Sequence, residues 1–394
     1  MGGLVVSKSN RVRTILCLSL GVIFGVCSAS RAVDTFKFGV VTPLSGGAAD
    51  YGIAFQNGIK LAVEEINKAG GASVGGKNYT VEPVFCDDEF KPDKAVNCGK
   101  ELSAEYKVRA VMTPSSLAAF PIMGFNQQEG FVLMATSQTP KFTQMGNSLV
   151  VRFINNTDRT MGPWVELVEQ YLQKTNKQAK KAAIMEVNTE LGKSWADNFT
   201  KAWLKAQGNS IIGKASYDAN ATDFYPQLST LLPGQPDVIV LTTVCQPSAI
   251  VIKQARELGF KDVFINSAAC SGEELIKLLP AEQVEGTLFE VGAWGFTEKT
   301  IDDFKKTYAE KFKVGPQLVS GLGYEGTRWL VKATEIAGTV DDAARIRAAM
   351  PAALAGLKNM FNMSNLDAKG DIDFPMYVGV ISGGKLSVYS GAEH

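Results

Sequence analysis

The sequence predicts an α/β fold with two comparable halves, each built on its own mostly parallel sheet. Short apolar runs alternate with helical patterns along the chain, which is typical of βαβ units. The alternation occurs in two series, the second of which starts near residue 181. The chain has 394 residues, whereas one average domain has about 100–200 residues. These observations together favour two α/β halves over a single domain.

The first series starts with an apolar strand at residues 36–41, which a glycine-containing loop connects to an amphipathic helix. Gly70 and Gly71 follow this helix and are a typical signal for a helix C-terminus. The apolar face of the helix carries Gly58, Leu61, Ala62, Ile66 and Ala69. Further strands are predicted at 80–86, 110–112 and 132–135.

The second series alternates strands and helices in the same way. Strands are predicted at 181–186, 210–217, 238–243 and 263–266. Helices are predicted at about 193–207, 222–232, 247–258 and 272–278. Parallel strands end together at one edge of their sheet, and open α/β proteins bind ligands at that edge.

The first 32 residues have the composition of a secretory signal peptide. Three basic residues precede a mostly apolar run of 14 residues, Thr14–Cys27, and small residues follow it. Cleavage is expected after Ser30 or Ala32. A membrane anchor is the alternative, but it would need about 20 apolar residues. The sequence therefore predicts an exported, periplasmic protein with a cleaved signal.

Four cysteines remain after that segment is removed, and an even number in an oxidising compartment predicts two disulfides. Pairing of sequence neighbours gives Cys86–Cys98 and Cys245–Cys270. Reactive cysteines are the competing interpretation. The chain has no histidine near these residues that could help to form a thiolate, which favours the disulfides.

The composition excludes several functional classes. The only histidine is the last residue, His394, so a Ser-His-Asp triad, a Cys-His pair or an HExxH zinc site is not available. Basic and acidic residues number 40 each, without the basic stripe that nucleic-acid binding requires. A carboxylate-based hydrolase would use Asp87, Asp88 and Glu89, but consecutive acids at a strand end are more often a solvated loop or a helix cap. No enzyme activity, cofactor, metal or nucleic-acid partner is predicted.

The loops that follow the first-half strands are rich in hydroxyl groups and backbone amides. These loops lie at 43–47, 113–116 and 135–139. Hydroxyl and amide donors at the start of helices can hold a small anion such as a carboxylate. The alternative interpretation is that Ser115, Ser116 and Thr139 only cap helices.

The corresponding loops of the second half have a different chemistry. They lie at 188–192, 244–247 and 268–271 and carry little charge beyond Glu190. A pocket shared by the two halves would therefore be polar on one wall and mostly apolar on the other.

Four segments carry a resemblance to a known family. They are FKFGVVTPLSGGAADYGIAFQNGIKLAVEEINKAGG, CDDEFKPDKAV, YDANATDFYPQL and IVIKQARELGF. They resemble the periplasmic solute-binding proteins of the branched-chain amino-acid (Leu/Ile/Val) ABC-transporter family, over about residues 36–389. The resemblance implies a type I periplasmic binding fold, in which two Rossmann-like lobes joined by three crossovers close on a ligand.

The resemblance also implies domain boundaries and partners. The first lobe would comprise residues 33–154 plus 292–373, and the second residues 155–291 plus 374–394. The protein would be a monomer that binds a small molecule and delivers it to an ABC permease and ATPase complex.

Several family roles fall on residues of the first lobe. The aromatic residue that covers the ligand corresponds to Tyr51. The positions that hold the ligand carboxylate correspond to Ser115, Ser116, Ala135 and Thr136, or to Thr139 if the loop gap is placed differently.

The second lobe departs from the family pattern. In amino-acid binders it supplies an acid for the ligand ammonium and two aromatic residues, whereas the residues here are Ala268, Leu191 and Val244. Because a desolvated ammonium without a partner costs several kcal/mol, the sequence favours an organic acid with an aromatic or aliphatic body. Glu190 or Glu325 would restore the partner if the alignment shifts, and the ligand would then be an amino acid or an amide.

Trp294, near the second crossover, either stacks on the ligand or packs in the hinge. The favoured function is a transport binding protein. A periplasmic sensor is the alternative, because the same fold serves both functions.

Overall fold

The computed structural model describes residues 1–4, 34–177, 179–292 and 299–391. The chain divides into two compact units, Met1–Val33 and Asp34–His394. Most of the predicted signal peptide and Trp294 lie outside the described residues. Among the helices that the structure describes, none combines the length and hydrophobicity that a bilayer crossing needs.

Six strands form the first sheet. They are β1 Asp34–Thr42, β2 Ala72–Val74, β3 Lys77–Asp87, β4 Ala110–Thr113, β5 Val132–Ala135 and β6 Val150–Arg152. Their order is β2-β3-β1-β4-β5-β6, and all neighbours are parallel except β2 and β3. Gly75 and Gly76 form the tight turn between β2 and β3, with φ angles of +57° and +81°.

Seven strands form the second sheet. They are β7 Lys181–Val187, β8 Ser210–Tyr217, β9 Val238–Leu241, β10 Val263–Asn266, β11 Leu288–Val291, β12 Tyr377–Ser382 and β13 Lys385–Tyr389. Their order is β13-β12-β11-β10-β9-β7-β8. The five strands β11, β10, β9, β7 and β8 are parallel to one another, whereas β12 is antiparallel to both of its neighbours, β11 and β13.

Helices cover both faces of each sheet. They are α1 Ala49–Lys68, α2 Pro92–Ala104, α3 Ser116–Met123, α4 Asn126–Glu129, α5 Thr157–Lys174, α6 Glu190–Trp203, α7 Tyr225–Leu231, α8 Cys245–Glu257, α9 Gly272–Leu278, α10 Ala281–Val284, α11 Lys299–Phe312, α12 Leu318–Ala337 and α13 Ala343–Ala355. Short 3₁₀ helices occupy Pro140–Thr143 and Leu232–Gly234.

The central strands of each sheet, such as β4, β5, β9 and β10, are buried on both faces, which is why they are apolar runs rather than alternating patterns. In the first sheet, Val40 packs in one core with α1, α12 and α13, and Val41 packs on the other face with α2 and α3. In the second sheet, Val240 faces α5 and α6, and Leu241 faces α7, α8 and α9. Two α/β lobes, each with its own cores, result from this arrangement.

The chain passes between the cores at three places. Ile154 belongs to a first-lobe core and Met161 to a second-lobe core. Val291 packs in the second lobe and Ile301 in the first, and Phe374 and Val378 mark the last passage. The first of these connections, residues 153–156 before α5, contributes residues to the candidate site described below. It is called the first connection.

Most predicted elements are present in the structure. The predicted bounds of β5, β8 and β10 coincide with the observed ones. The predicted helix at 193–207 instead starts at Glu190, because the Thr189 hydroxyl accepts the Gly192 N–H and caps it, and ends at Trp203. The antiparallel strands β2, β12 and β13 were not predicted, although the paired glycines at 75–76 and 383–384 are typical hairpin signals.

Candidate functional site

Two of the predicted first-lobe residues meet at the end of β4. The Tyr51 hydroxyl, from the first turn of α1, donates to the Pro114 carbonyl at 3.0 Å. The Thr136 hydroxyl, just after β5, donates to the same carbonyl at 2.7 Å. Burial raises the pKa of Tyr51 to about 12, so the phenol keeps its proton at neutral pH.

The two serines at the start of α3 have different partners. The Ser115 side chain accepts the Leu117 N–H at 3.1 Å and is the N-cap of α3. The Ser116 hydroxyl instead donates to the Ser137 hydroxyl at 2.9 Å and joins the loops after β4 and β5. Ser115 therefore has the capping contact, and Ser116 lies between two loops that both face the carboxyl edge of the sheet.

The loop after β5, residues 136–139, is here called the β5 loop. Its carbonyl groups point towards the protein: those of Ser137 and Thr139 accept from Arg152, and that of Gln138 accepts the Thr157 N–H at 3.2 Å. Within the described residues, the N–H groups of 137, 138 and 139 have no acceptor. The loop thus presents a row of unpaired amide donors, which is the arrangement that binds anions.

Two further predicted residues flank this row. The Thr139 hydroxyl is buried and has no hydrogen-bond partner within the described part of the chain. Ala135 is fully buried in the core, and its carbonyl accepts the Phe153 N–H at 3.2 Å. Ala135 therefore ends the strand, and the polar groups available to a ligand begin at Thr136.

Arg152, at the end of β6, holds the β5 loop in this orientation. Its Nε donates to Asp371 at 2.5 Å, and its other nitrogens donate to the Ser137 and Thr139 carbonyls. The second oxygen of Asp371 accepts from Thr143 and Asn156, each at 2.8 Å. Burial lowers the pKa of Arg152, and Asp371 opposes that effect. The pair therefore links the β5 loop to Asn156 in the first connection. Through Asp371 it also links the loop to the segment that precedes the third chain passage.

The three apolar residues predicted for a second wall follow strands of the second sheet. Leu191 and Ala268 are half-buried, and Val244 is 52% exposed. They follow β7, β10 and β9, respectively, at the carboxyl edge of the second sheet.

The two alternative acids differ in their surroundings. Glu190, the first residue of α6, is exposed to solvent. Glu325 is fully buried in α12, where it pairs with Arg328 at 2.7 Å and accepts the Met360 N–H at 2.8 Å. Because its two oxygens are occupied inside the first lobe, Glu325 does not provide an ammonium partner on the second wall.

Sequence reasoning missed a buried acid, Glu290, in β11. Asn155 Nδ2 and Trp195 Nε1 donate to its two oxygens at 2.8 and 2.9 Å. The backbone amide of Ala268 lies near the same carboxyl, and burial, which outweighs these favourable contacts, raises the pKa of Glu290 to about 7. An acid within a four-residue apolar strand was the available signal, because charged residues are rarely buried without a role.

Two polar residues at the end of β10 were also missed. Asn266 and Ser267 are buried, and their side-chain N and O atoms have no hydrogen-bond partner among the described residues. Buried polar groups are normally satisfied, so these atoms are available to a water molecule or to a polar group of a ligand.

The rims of the two lobes face each other across the carboxyl edges. The pKa of Glu274 on α9 is raised mainly by burial, and the Asp50 carboxylate at the start of α1 contributes to the rise. Lys277 opposes this shift. The first turns of α1 and α9, which belong to different lobes, are therefore close enough for their charges to interact.

Each lobe contains one disulfide beside these loops. Cys86–Cys98 joins the end of β3 to α2. Cys245–Cys270 joins the loops that carry Val244 and Ala268. The structure thus contains both pairs that neighbour pairing predicts. No group of three or more metal-ligating side chains occurs within the residues that the structure describes.

Comparison with known proteins gives relatives along nearly the whole chain. A family model described as periplasmic binding protein matches residues 35–385. The leucine-, isoleucine-, valine-, threonine- and alanine-binding protein of Pseudomonas aeruginosa is 26% identical over 326 residues, which cover 81% of this chain and 83% of the relative.

Solved structures share the fold. The branched-chain amino acid transporter substrate-binding protein LivJ of Streptococcus pneumoniae, in complex with isoleucine, has a TM-score of 0.77 at 23% identity and covers 90% of this chain and 99% of its own. An ABC-transporter solute-binding protein of R. palustris, in complex with benzoate, has a TM-score of 0.76 at 18% identity and covers 90% and 95%. The two-lobed architecture is that of the type I periplasmic binding proteins, and the chain belongs to the periplasmic binding protein family.

Proposed function

We propose that this protein is an extracytoplasmic solute-binding protein that captures a small carboxylate-bearing ligand between its two lobes and delivers it to an ABC permease and ATPase complex. Residues 33–154 plus 292–373 form one closing lobe and 155–291 plus 374–394 form the other. Family membership supports the general role. The protein acts as a periplasmic monomer, exported by a cleaved signal at residues 1–32, and is not an enzyme.

The β5 loop carries the proposal. Its three unpaired amide donors, the Thr139 hydroxyl and the hydroxyl pair of Ser116 and Ser137 lie at one edge of the first sheet. A carboxylate offers acceptors only, and amide donors held in place replace its hydration shell at little reorganisation cost. Tyr51 borders the same edge and offers an aromatic face to the ligand body.

The second wall selects the class of ligand. Leu191, Val244 and Ala268 carry no charge, and apolar surface buried against them stabilises binding by about 25 cal/mol per Å². An α-ammonium group would lose its water shell there without gaining an acid. We therefore favour an aromatic or aliphatic organic acid, and a benzoate-binding structure of the same fold supports this choice.

An amino acid is the second candidate. The relative from P. aeruginosa is named for five amino acids, and exposed Glu190 lies at the start of α6 beside Leu191. A closing movement that brings Glu190 over the pocket would supply the ammonium partner.

Calorimetry separates the two candidates. Leucine is compared with 4-methylpentanoate, and phenylalanine with 3-phenylpropanoate and benzoate, so that each pair differs mainly in the amino group. We expect the best acid without an amino group to bind at least tenfold more tightly than either amino acid. Equal or tighter binding of leucine would contradict the organic-acid proposal.

A single substitution sharpens this test. Ala268→Glu places an acid on the second wall and is expected to shift the preference towards amino acids. Glu190→Gln is the matched variant. It should leave the affinity for organic acids unchanged if Glu190 is only a surface residue. It should weaken leucine binding if Glu190 is the ammonium partner.

A further inference from the structure

A chain of side-chain hydrogen bonds connects the two walls of the candidate site. Gln138 Nε2, in the β5 loop, donates to Asn155 Oδ1 at 2.7 Å. Asn155 Nδ2, in the first connection, donates to Glu290 Oε1 at 2.8 Å. Ala268 on the second wall lines the same small cavity as Glu290, and its backbone amide lies near the carboxyl. We call Gln138, Asn155 and Glu290 the relay.

The relay is sheltered from water. Gln138, Asn155 and Glu290 are 5%, 1% and 2% exposed. A hydrogen bond between buried groups is stronger than one in water, and a group that loses its partner there gains no solvent in exchange. The relay therefore constrains the relative position of the residues it joins.

Glu273 on α9 is a charged residue that lines the same small cavity as Glu290. The charged side chains around the first connection are Arg152, Asp371, Asp158 and Arg159. The Arg152 and Asp371 groups are bonded to each other, and Arg159 pairs with Asp367. Opposite Glu290, β12 presents Val378, and α6 presents Trp195. The described donors to the Glu290 carboxyl are all neutral.

We propose that Glu290 is a positioning residue for the ligand site, which holds the β5 loop and the Ala268 loop in register through the relay. The proposal rests on the proposed function, because it assigns the two walls to one ligand. Glu290 is not expected to touch the ligand, since its two oxygens already accept from Asn155 and Trp195.

Ionisation of Glu290 changes the relay. An ionised carboxylate is an acceptor only and matches the N–H donors that surround it. Protonation places an O–H among those donors and weakens the bonds that the carboxyl accepts. Because burial brings the pKa of Glu290 to about 7, the relay is expected to be complete at pH 8 and weakened at pH 5.5.

The first experiment needs no ligand. In the full-length mature protein, the Trp195 indole N–H resonance, assigned by its loss in Trp195→Phe, should titrate with a midpoint near pH 7. The side-chain amide of Gln138 should titrate with the same midpoint. In Asn155→Leu the indole should still titrate and the Gln138 amide should not. The relay would be contradicted if the Gln138 amide resonance did not depend on pH in the wild type. It would also be contradicted if that resonance still titrated in Asn155→Leu.

The second experiment measures affinity for benzoate, 4-methylpentanoate and leucine between pH 5.5 and 8. Wild-type affinity for the probe that binds should fall three- to tenfold at the low pH. Glu290→Gln should bind about tenfold more weakly at pH 8, with a flat pH profile. The control Glu273→Gln lines the same cavity and should keep the wild-type profile. A wild-type profile in Glu290→Gln would contradict the positioning role.

The two proposals can fail separately. If the wild type binds none of the three probes, the proposed ligand class is wrong, and the NMR titration still decides whether the relay exists. If a probe binds with an affinity that is independent of pH while the Gln138 amide titrates, the relay does not position the site.

Discussion

Two carboxylates are buried where the lobes connect, and they are stabilised in different ways. Asp371 lies beside a buried guanidinium, Arg152, at 2.5 Å, and also accepts from Thr143 and Asn156. Among the described residues, Glu290 accepts from two neutral donors, Asn155 and Trp195, with the Ala268 amide nearby. Burial disfavours a charge that has no opposite charge beside it, so the pKa of Glu290 rises to about 7.

The difference separates the two walls of the site. The first wall, with the β5 loop, is anchored by the buried ion pair of Arg152 and Asp371. The second wall, at Ala268, is anchored by an acid whose pKa is about 7. The same fold therefore anchors one wall through a buried ion pair and the other through a buried acid that has only neutral partners.

The largest expected effect on stability comes from removing the cation of the buried Arg152–Asp371 pair. Arg152→Met leaves Asp371 buried without its cation and releases the carbonyls of Ser137 and Thr139. Removing one partner of a buried ion pair typically costs about 3–5 kcal/mol. We expect a loss of this size in the free energy of unfolding, measured by urea denaturation at pH 7.

The surface pair of Arg159 and Asp367 provides the matched control, because it lies beside the same connection with Arg159 43% exposed. Exposed pairs contribute about 0–1 kcal/mol, so Arg159→Met should have a small effect. Equal losses in the two variants would show that the buried pair is no stronger an anchor than the surface pair.

The second effect concerns the pH dependence of stability. The pKa of Glu290 rises from 4.5 to about 7 on folding, so between these values the unfolded chain releases a proton that the folded protein retains. Raising the pH therefore favours the unfolded state. Relative to Glu290→Gln, the wild type should lose about 3 kcal/mol of unfolding free energy between pH 4.5 and 8.

The measurement is urea denaturation of both proteins across this pH range, so that the other titrating groups cancel in the difference. A constant difference between the wild type and Glu290→Gln would mean that Glu290 titrates normally, and would remove the contrast between the two anchors.

The smallest effect distinguishes the two serines of the first wall. Ser115→Ala removes the N-cap of α3 and should lower the unfolding free energy by about 1 kcal/mol, with little change in ligand affinity. Ser116→Ala removes the bond to Ser137 and should weaken carboxylate binding instead. Calorimetry measures the ligand affinity of both variants, and thermal unfolding measures their stability. If Ser115→Ala weakened binding and Ser116→Ala lowered only stability, the roles assigned to the two serines would be reversed.

The sequence contained enough information for most of the fold and for the residue types that follow several of its strands. Apolar runs that recur with loop signals between them predicted β5, β8 and β10 to the residue, because strand and helix periodicities are local properties. The same patterns placed Thr136 and Ala268 just after strand ends, and Tyr51 beyond the loop that follows β1. Neighbour pairing predicted both cysteine bridges, since each links residues within two consecutive elements of one lobe.

Long-range contacts decided the rest. Arg152 and Asp371 are 219 residues apart, and Asn155 and Glu290 are 135 apart. No local pattern pairs such residues, because their contact exists only after three chain passages bring the connections together. The arrangement of the β5 loop has the same origin: its composition predicts amide and hydroxyl donors, but only the folded structure brings Arg152 and Thr157 to where they bind its carbonyl groups.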